Sequence, residues 1–325
     1  MNTLDAPRPS QFSTGSTPLR SAYNCVFAAM YNHLVQDHRL SLRIESLYIT
    51  KSLLQLWQFD GLLCPFLPEE MVRSFMRGTG LRMTFPDVGN VESALAFARD
   101  HLARRRVLSV AVNLRYDVLE PLTFDNDFWH LQLMVEPLVD GGFRMYDQFE
   151  DKFFVYTEDR MRLAIDTGFN RRISGQFTPF MVIEVDDLEG TAAKLAEAGE
   201  TNAQVQAALR DYPLKHNLDH AVQSVRHLRR YATERPSAEV MYRVMNYHLI
   251  IQKSREALID ALVVRGLAPP EFTATLVERW SQVRALLGVI LMRRDLGEFD
   301  RLEDVYRQLI ELEEGVFRSL GECSP

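Results

Sequence analysis

The apolar residues Val26, Phe27, Met30, Tyr31 and Leu34 recur at three- and four-residue intervals, the period of a helix with a buried face. They predict a helix from Ser21 or Asn24, either of which carries the side-chain oxygen of an N-cap, to Val35. Helical spacing returns over Ile44 to Phe59, breaks at the glycine and prolines of GLLCPFLPEE, and resumes over Glu69 to Met76 and Val91 to Arg105. The period then shortens. Residues 107–114, 128–139, 143–149, 152–157 and 177–185 are rich in β-branched and aromatic side chains and predict strands, with Asp140-Gly141-Gly142 as a turn between two of them.

From Asp186 onward the helical period dominates. Leu218 to Ala232, Ala238 to Arg265, Pro270 to Met292 and Phe299 to Leu320 read as a bundle, separated by TERPS, RGLAPPE and RRDLGE. The pattern therefore predicts an α+β chain in three parts: a flexible polar leader (1–14), a domain of helices on an antiparallel sheet (15–186), and a helical bundle domain (187–325).

Composition narrows the function classes. With 46% hydrophobic and 25% charged residues over 325 positions, the chain can bury a large core. A net charge of -7 argues against a general nucleic-acid binder, which needs a basic face. No apolar run approaches bilayer length, and the first residues lack the apolar segment of a signal peptide. Cys25, Cys64 and Cys323 form an odd, sparse set without metal-ligand spacing, so free thiols in the reducing cytoplasm are expected.

Cys25 is placed where a helix starts. Unpaired N–H groups and the positive end of the helix dipole favour a thiolate there, so a depressed pKa and alkylation well below pH 8 are expected of it. A nucleophile also needs a base and a group to orient the base. His130 heads the strand HLQLMVEP, where alternation sets His130, Gln132 and Met134 on one face and Leu131, Leu133 and Val135 on the other. Asp147 and Asp151 lie on the next strand, on the histidine's face. A two-residue turn at Asp140-Gly141 would set Asp147 opposite Met134 and Asp151 opposite His130, whereas a wider loop or a bulge near Pro137 would draw Asp147 toward His130. The remaining histidines show no HExxH-like pairing, and Gly78-Thr79-Gly80 is too short for a phosphate loop.

A cysteine on an early helix, a histidine on a strand and an aspartate on its neighbour follow the order of papain-like cysteine enzymes. The segments YNCVFAAMYNHL, LSLRIESLYIT and VLSVAVNLRYDVLEPLTFDNDFWHLQLMVEPLVDGGFRMYDQF resemble the butirosin biosynthesis protein H family, whose helical second half also fits the layout here. The resemblance implies a papain-like acyltransferase domain followed by a helical domain. It further implies transfer of an aminoacyl or peptidyl group from a phosphopantetheinylated carrier-protein thioester to a small-molecule or peptide amine in specialised-metabolite biosynthesis, without a cofactor. Cys25 would be the nucleophile, His130 the base and Asp147 the orienter, with a second oxyanion donor from Ser21 or Asn24. Two alternatives remain: a cysteine amidase or thioester hydrolase with the same triad, and a non-catalytic partner-binding protein. An acidic carrier would require a local basic patch, for which Arg104-Arg105-Arg106 is the candidate.

Overall fold

A computed structural model describes residues 25–43, 47, 50–59, 61–64, 76, 78–118, 129–148, 151–171, 175–198, 200–234, 237–269, 273–293 and 297–322. The expected leader, the cap positions Ser21 and Asn24, the short helix before Met76 and Cys323 lie outside the described residues.

The centre of the fold is a six-stranded antiparallel sheet. Its strands are β3 (Leu81–Thr84), β4 (Leu108–Asn113), β5 (Trp129–Pro137), β6 (Phe143–Asp147), β7 (Lys152–Tyr156) and β8 (Phe180–Val185), in the order β3-β8-β4-β5-β6-β7. The expected strands are present and the Asp140-Gly141-Gly142 turn connects β5 to β6. One face of the sheet packs on α3 (Val91–Arg104) and α4 (Glu158–Ile165), burying Leu108, Val110, Val112, Met134 and Met145 against Leu95, Ala98, Met161 and Ile165. The other face, with Leu131, Leu133 and Val135, packs on α1 (Cys25–Gln36) through Phe27, Met30 and Leu34.

Every residue of α1 from Phe27 to Gln36 is buried, polar ones included, so its polar groups need partners. His33 meets this need at the C-terminal end. Its Nδ1 lies 2.9 Å from Asp37 Oδ2 and its Nε2 3.0 Å from Ser109 Oγ on β4. Asp37 Oδ1 in turn accepts from the Arg106 and Val107 N–H groups at 2.7 and 3.2 Å. Burial works against the Asp37 charge, but the His33 ring and these N–H groups outweigh it and hold the carboxyl below its ordinary range.

The second half contributes α5 (Leu188–Ala198), α6 (Asn202–Arg210), α7 (Leu214–Glu234), α8 (Ser237–Val264), α9 (Thr273–Arg293) and α10 (Glu298–Glu322). Secondary structure changes at Asp186 as the sequence pattern does, yet the core continues across it. Phe27, Leu63, Leu131 and Ile183 share a buried cluster with Val225, Leu258, Trp280 and Phe317. A buried ion pair sits at the junction. Arg255 on α8 donates to both oxygens of Glu313 on α10 at 2.7 and 2.9 Å, and also to the Leu53 carbonyl on α2 (Thr50–Leu54). Glu313 also accepts from Trp280 Nε1 and the Tyr212 hydroxyl, at 2.6 and 2.7 Å. Among the described residues, no helix is long and apolar enough to cross a membrane.

The helix expected over Ile44 to Phe59 is corrected. Helix α2 ends at Leu54, and Trp57–Phe59 form β1, paired antiparallel with β2 (Leu62–Cys64). Gly61 sits in the turn at φ 76, and a Cβ there would lie 2.4 Å from the His227 ring of α7. The hairpin docks on α7, where Gln58 Nε2 donates to the His220 carbonyl at 2.8 Å and Leu63 N–H to Ser224 Oγ at 2.8 Å. Tertiary contact thus overrides the helical period. Strand β3 and helix α4 carry no counterpart in the sequence-based expectations; α4 starts at the Thr157 cap, whose side chain accepts from the Arg160 N–H.

Glu313→Ala leaves the Arg255 guanidinium buried without its partner and is expected to lower stability by about 3–5 kcal/mol in urea unfolding. The double change Arg255→Met, Glu313→Leu removes both charges together and is expected to cost less than the sum of the two single changes, although Trp280 Nε1 and the Tyr212 hydroxyl then lose their acceptor. A loss below about 1 kcal/mol for Glu313→Ala would show that the pair does not hold the junction.

Candidate active site

His130 is the second residue of β5 and pairs across the sheet with Val112. Strand alternation sends Leu131 and Leu133 toward α1 and His130, Gln132 and Met134 to the opposite face, as expected from sequence. The register with β6 decides which carboxylate the imidazole meets. Pro137 pairs with Phe143 and Glu136 with Arg144, so the connection is one residue wider than a two-residue turn at Asp140-Gly141 requires. A bulge between Met134 and Glu136 then shifts the pairing again, to Met134 with Met145 and Leu133 with Tyr146. The two shifts carry Asp147 past Met134 to a place beside Gln132, and its Oδ2 comes to 3.4 Å from His130 Nδ1.

Asp151 does not compete for the ring. It lies in the turn after β6 at φ 56, and its Oδ1 accepts from the Tyr146 hydroxyl at 2.5 Å. Tyr146 belongs to the core on the α1 side of the sheet.

Cys25 is the first described residue of α1 and is half-buried. Gln148, the residue after β6, ties this end of the helix to β5: its Nε2 donates to the Cys25 carbonyl at 2.9 Å and to the Leu131 carbonyl at 3.0 Å. Three N–H groups, of Leu131, Cys25 and Val26, favour the thiolate. They do not prevail. Burial is the largest influence and the Asp147 charge adds to it, so the thiol is pushed up to about 11. The expected depression of its pKa is therefore corrected: at rest the sulfur carries its proton. Among the described residues, no hydrogen bond joins the sulfur to the His130 ring.

A second carboxylate stands at the site. Asp117 follows a 3-10 turn at Leu114–Tyr116 and is buried. Gln132 Nε2 lies 3.2 Å from Asp117 Oδ2 and 3.2 Å from Asp147 Oδ2, so its two hydrogens bridge both acids. Arg160 on α4 fixes the Asp117 backbone by donating to the Tyr116 carbonyl at 2.7 Å and to the Asp117 carbonyl. Asp117, His130 and Asp147 each offer a ligand atom within 4.8 Å of the others, a spacing that could hold a metal ion. Gln132, however, meets these carboxylates with a hydrogen-bond donor where a metal would need lone pairs.

His130 and Asp147 meet near the start of β5, and Cys25 lies against the Leu131 N–H, one residue along the strand. Sequence reading missed Asp117 and Gln148. Gln148 adjoins Asp147 and was open to notice, whereas Asp117 lies in NLRYDVLE without any periodic signal. The arginine triplet sits elsewhere. Arg104 pairs with Asp100, Arg105 donates to the Asp37 carbonyl and Arg106 N–H to the Asp37 carboxylate, at the far end of α1. Twelve helical residues put that end about 18 Å from Cys25.

The remaining histidines serve other elements. His33 and His38 bond to Ser109 and to the Ile183 carbonyl, His101 to the Val107 carbonyl, His216, His220 and His227 face the β1–β2 hairpin, and His248 bonds to Tyr306. Compared with known proteins, the chain matches no family model and no curated protein.

In the free protein, alkylation of Cys25 by iodoacetamide is expected to be slow at pH 7 and to rise with a midpoint near pH 11. Peptide mapping separates Cys25 from buried Cys64. A midpoint at or below about pH 8.5, the value of an unperturbed thiol, would contradict the dominance of burial.

Proposed function

We propose that this chain is a papain-like cysteine acyltransferase. It takes an aminoacyl or peptidyl group from a carrier-protein phosphopantetheine thioester and passes it through Cys25 to an amine, in the cytoplasm and in specialised-metabolite biosynthesis. The observation that carries the reading is the His130–Asp147 pair, 3.4 Å apart, at the end of β5 whose Leu131 N–H reaches the Cys25 sulfur.

With Nδ1 turned to Asp147, the ring exchanges protons through Nε2. His130 takes the thiol proton as the sulfur attacks the thioester carbonyl, and the pantetheine thiol leaves with that proton. The amine then attacks acyl-Cys25, gives its proton to His130, and the Cys25 thiol re-forms. A thiol held near 11 couples deprotonation to attack, so thiolate does not stand waiting. The Cys25 and Leu131 N–H groups, already aimed at the sulfur, are the oxyanion donors in this reading; Ser21 and Asn24 lie outside the described residues.

The raised thiol pKa favours one rival, a protein in which the domain binds a partner without chemistry. Product analysis separates the readings. An aminoacyl pantetheine thioester supplied with an amine is expected to give amide, and Cys25→Ala and His130→Ala to lower the rate by about 1,000-fold or more. Free acid as the sole product would make the protein a hydrolase, and no thioester consumption would favour the partner-binding reading.

A further inference from the structure

His130 faces two carboxylates, and the triad uses one. Asp117 reaches the same site from the turn after β4, and its backbone is clamped by Arg160. Its carboxylate shares the Gln132 amide with Asp147, and a carboxylate oxygen of each acid and a ring nitrogen of His130 lie within 4.8 Å of one another.

We propose that Asp117 is a positioning residue for the His130 base, a second buried negative charge that holds Asp147 in place through Gln132 and stabilises the imidazolium formed when Cys25 gives up its proton. The proposal rests on the triad reading. Gln132 has two amide hydrogens and directs one to each acid, so neither carboxylate can move without losing a buried donor. Asp117 supplies charge as well as order. When the proton passes from Cys25 to His130, a neutral pair becomes a separated pair of charges in a site where burial opposes ionisation. Negative charge about 5 Å from the ring favours the state in which the ring holds that proton.

The groups around His130 are consistent with this role. Asp147 comes from β6, Asp117 from the turn after β4, Cys25 from the start of α1, and Arg160 from α4, where its guanidinium is engaged by the Tyr116 and Asp117 carbonyls. Tyr156 on β7 also feels the acids: burial raises its phenol first and Asp117 next, Arg160 opposes, and Asp147 adds to the rise. That phenol stays neutral, so among these described residues the two carboxylates supply the negative charge beside the ring.

The test reads the ring directly. In protein labelled with 15N in its histidine rings, the His130 resonance is assigned by its loss in His130→Gln, and its titration is followed in wild type, Asp117→Asn and Asp117→Glu. The Asn variant keeps an acceptor for Gln132 but removes the charge. Its His130 midpoint is expected to fall by about one pH unit, whereas the Glu variant should stay within about 0.3 of wild type. Should Asp117→Asn not fold, Asp117→Ser is measured instead. A midpoint within about 0.2 of wild type in the charge-free variant overturns the proposal. Thioester turnover by His130→Ala, measured alongside, reports separately on the triad, so an intact ring shift with surviving turnover would sink the triad and not the coupling.

Discussion

One buried imidazole fixes the helix on which the candidate nucleophile rides. His33 is wholly buried, and it joins Asp37 beyond the end of α1 to Ser109 near the start of β4. Hydrogen bonds to charged groups contribute about 1.5–3 kcal/mol each, but the larger effect is geometric. Apolar contacts are non-directional, and a directional bond to the sheet adds a fixed position for the helix along it. With its C-terminal end pinned to β4 and Cys25 tied by Gln148 to β5, α1 has one position along the sheet, which sets Cys25 at Leu131. The Ser–His–Asp arrangement of this clamp matches that of hydrolase triads, but Ser109 and His33 are 0% exposed, so no substrate can reach it.

The same packing decides the chemistry available to Cys25. A helix N-terminus favours a thiolate, and the Leu131, Cys25 and Val26 N–H groups are in place to do so. Burial, with the Asp147 charge nearby, works against it and wins. A nucleophile in that setting depends on its base at the moment of attack, which gives the His130–Asp147 contact its importance. Because His130 and Cys25 come from opposite faces of β5, they can cooperate only at the strand's end, where β6 stops and Gln148 turns back across it.

Elements whose sequence repeats matched their own burial were legible. The helix of Cys25, the five expected strands and the long helices of the second half follow apolar periods that the core then uses. Trp57 to Cys64 was not legible as helix or strand by period alone. The Asp60-Gly61 turn signal was present in LWQFDGLLC, but the neighbouring helical spacing masked it, and docking on α7 settled the matter. The choice between Asp147 and Asp151 turned on a wider connection between β5 and β6 and a bulge between Met134 and Glu136, two register shifts that the sequence allowed without fixing. Asp117 had no local signal at all, since its partner Gln132 is brought to it only by the pairing of β4 with β5.

The most direct test of the account is where an acyl group goes in a single turnover. The protein is exposed to one equivalent of an aminoacyl pantetheine thioester without an amine, quenched in acid, digested and mapped by mass spectrometry. The account predicts the acyl mass on the peptide containing Cys25, absent from that containing Cys64, and lost in His130→Ala. Thioester consumed without any acyl group on Cys25, or equal labelling of both cysteines in protein unfolded beforehand and in native protein, would contradict it.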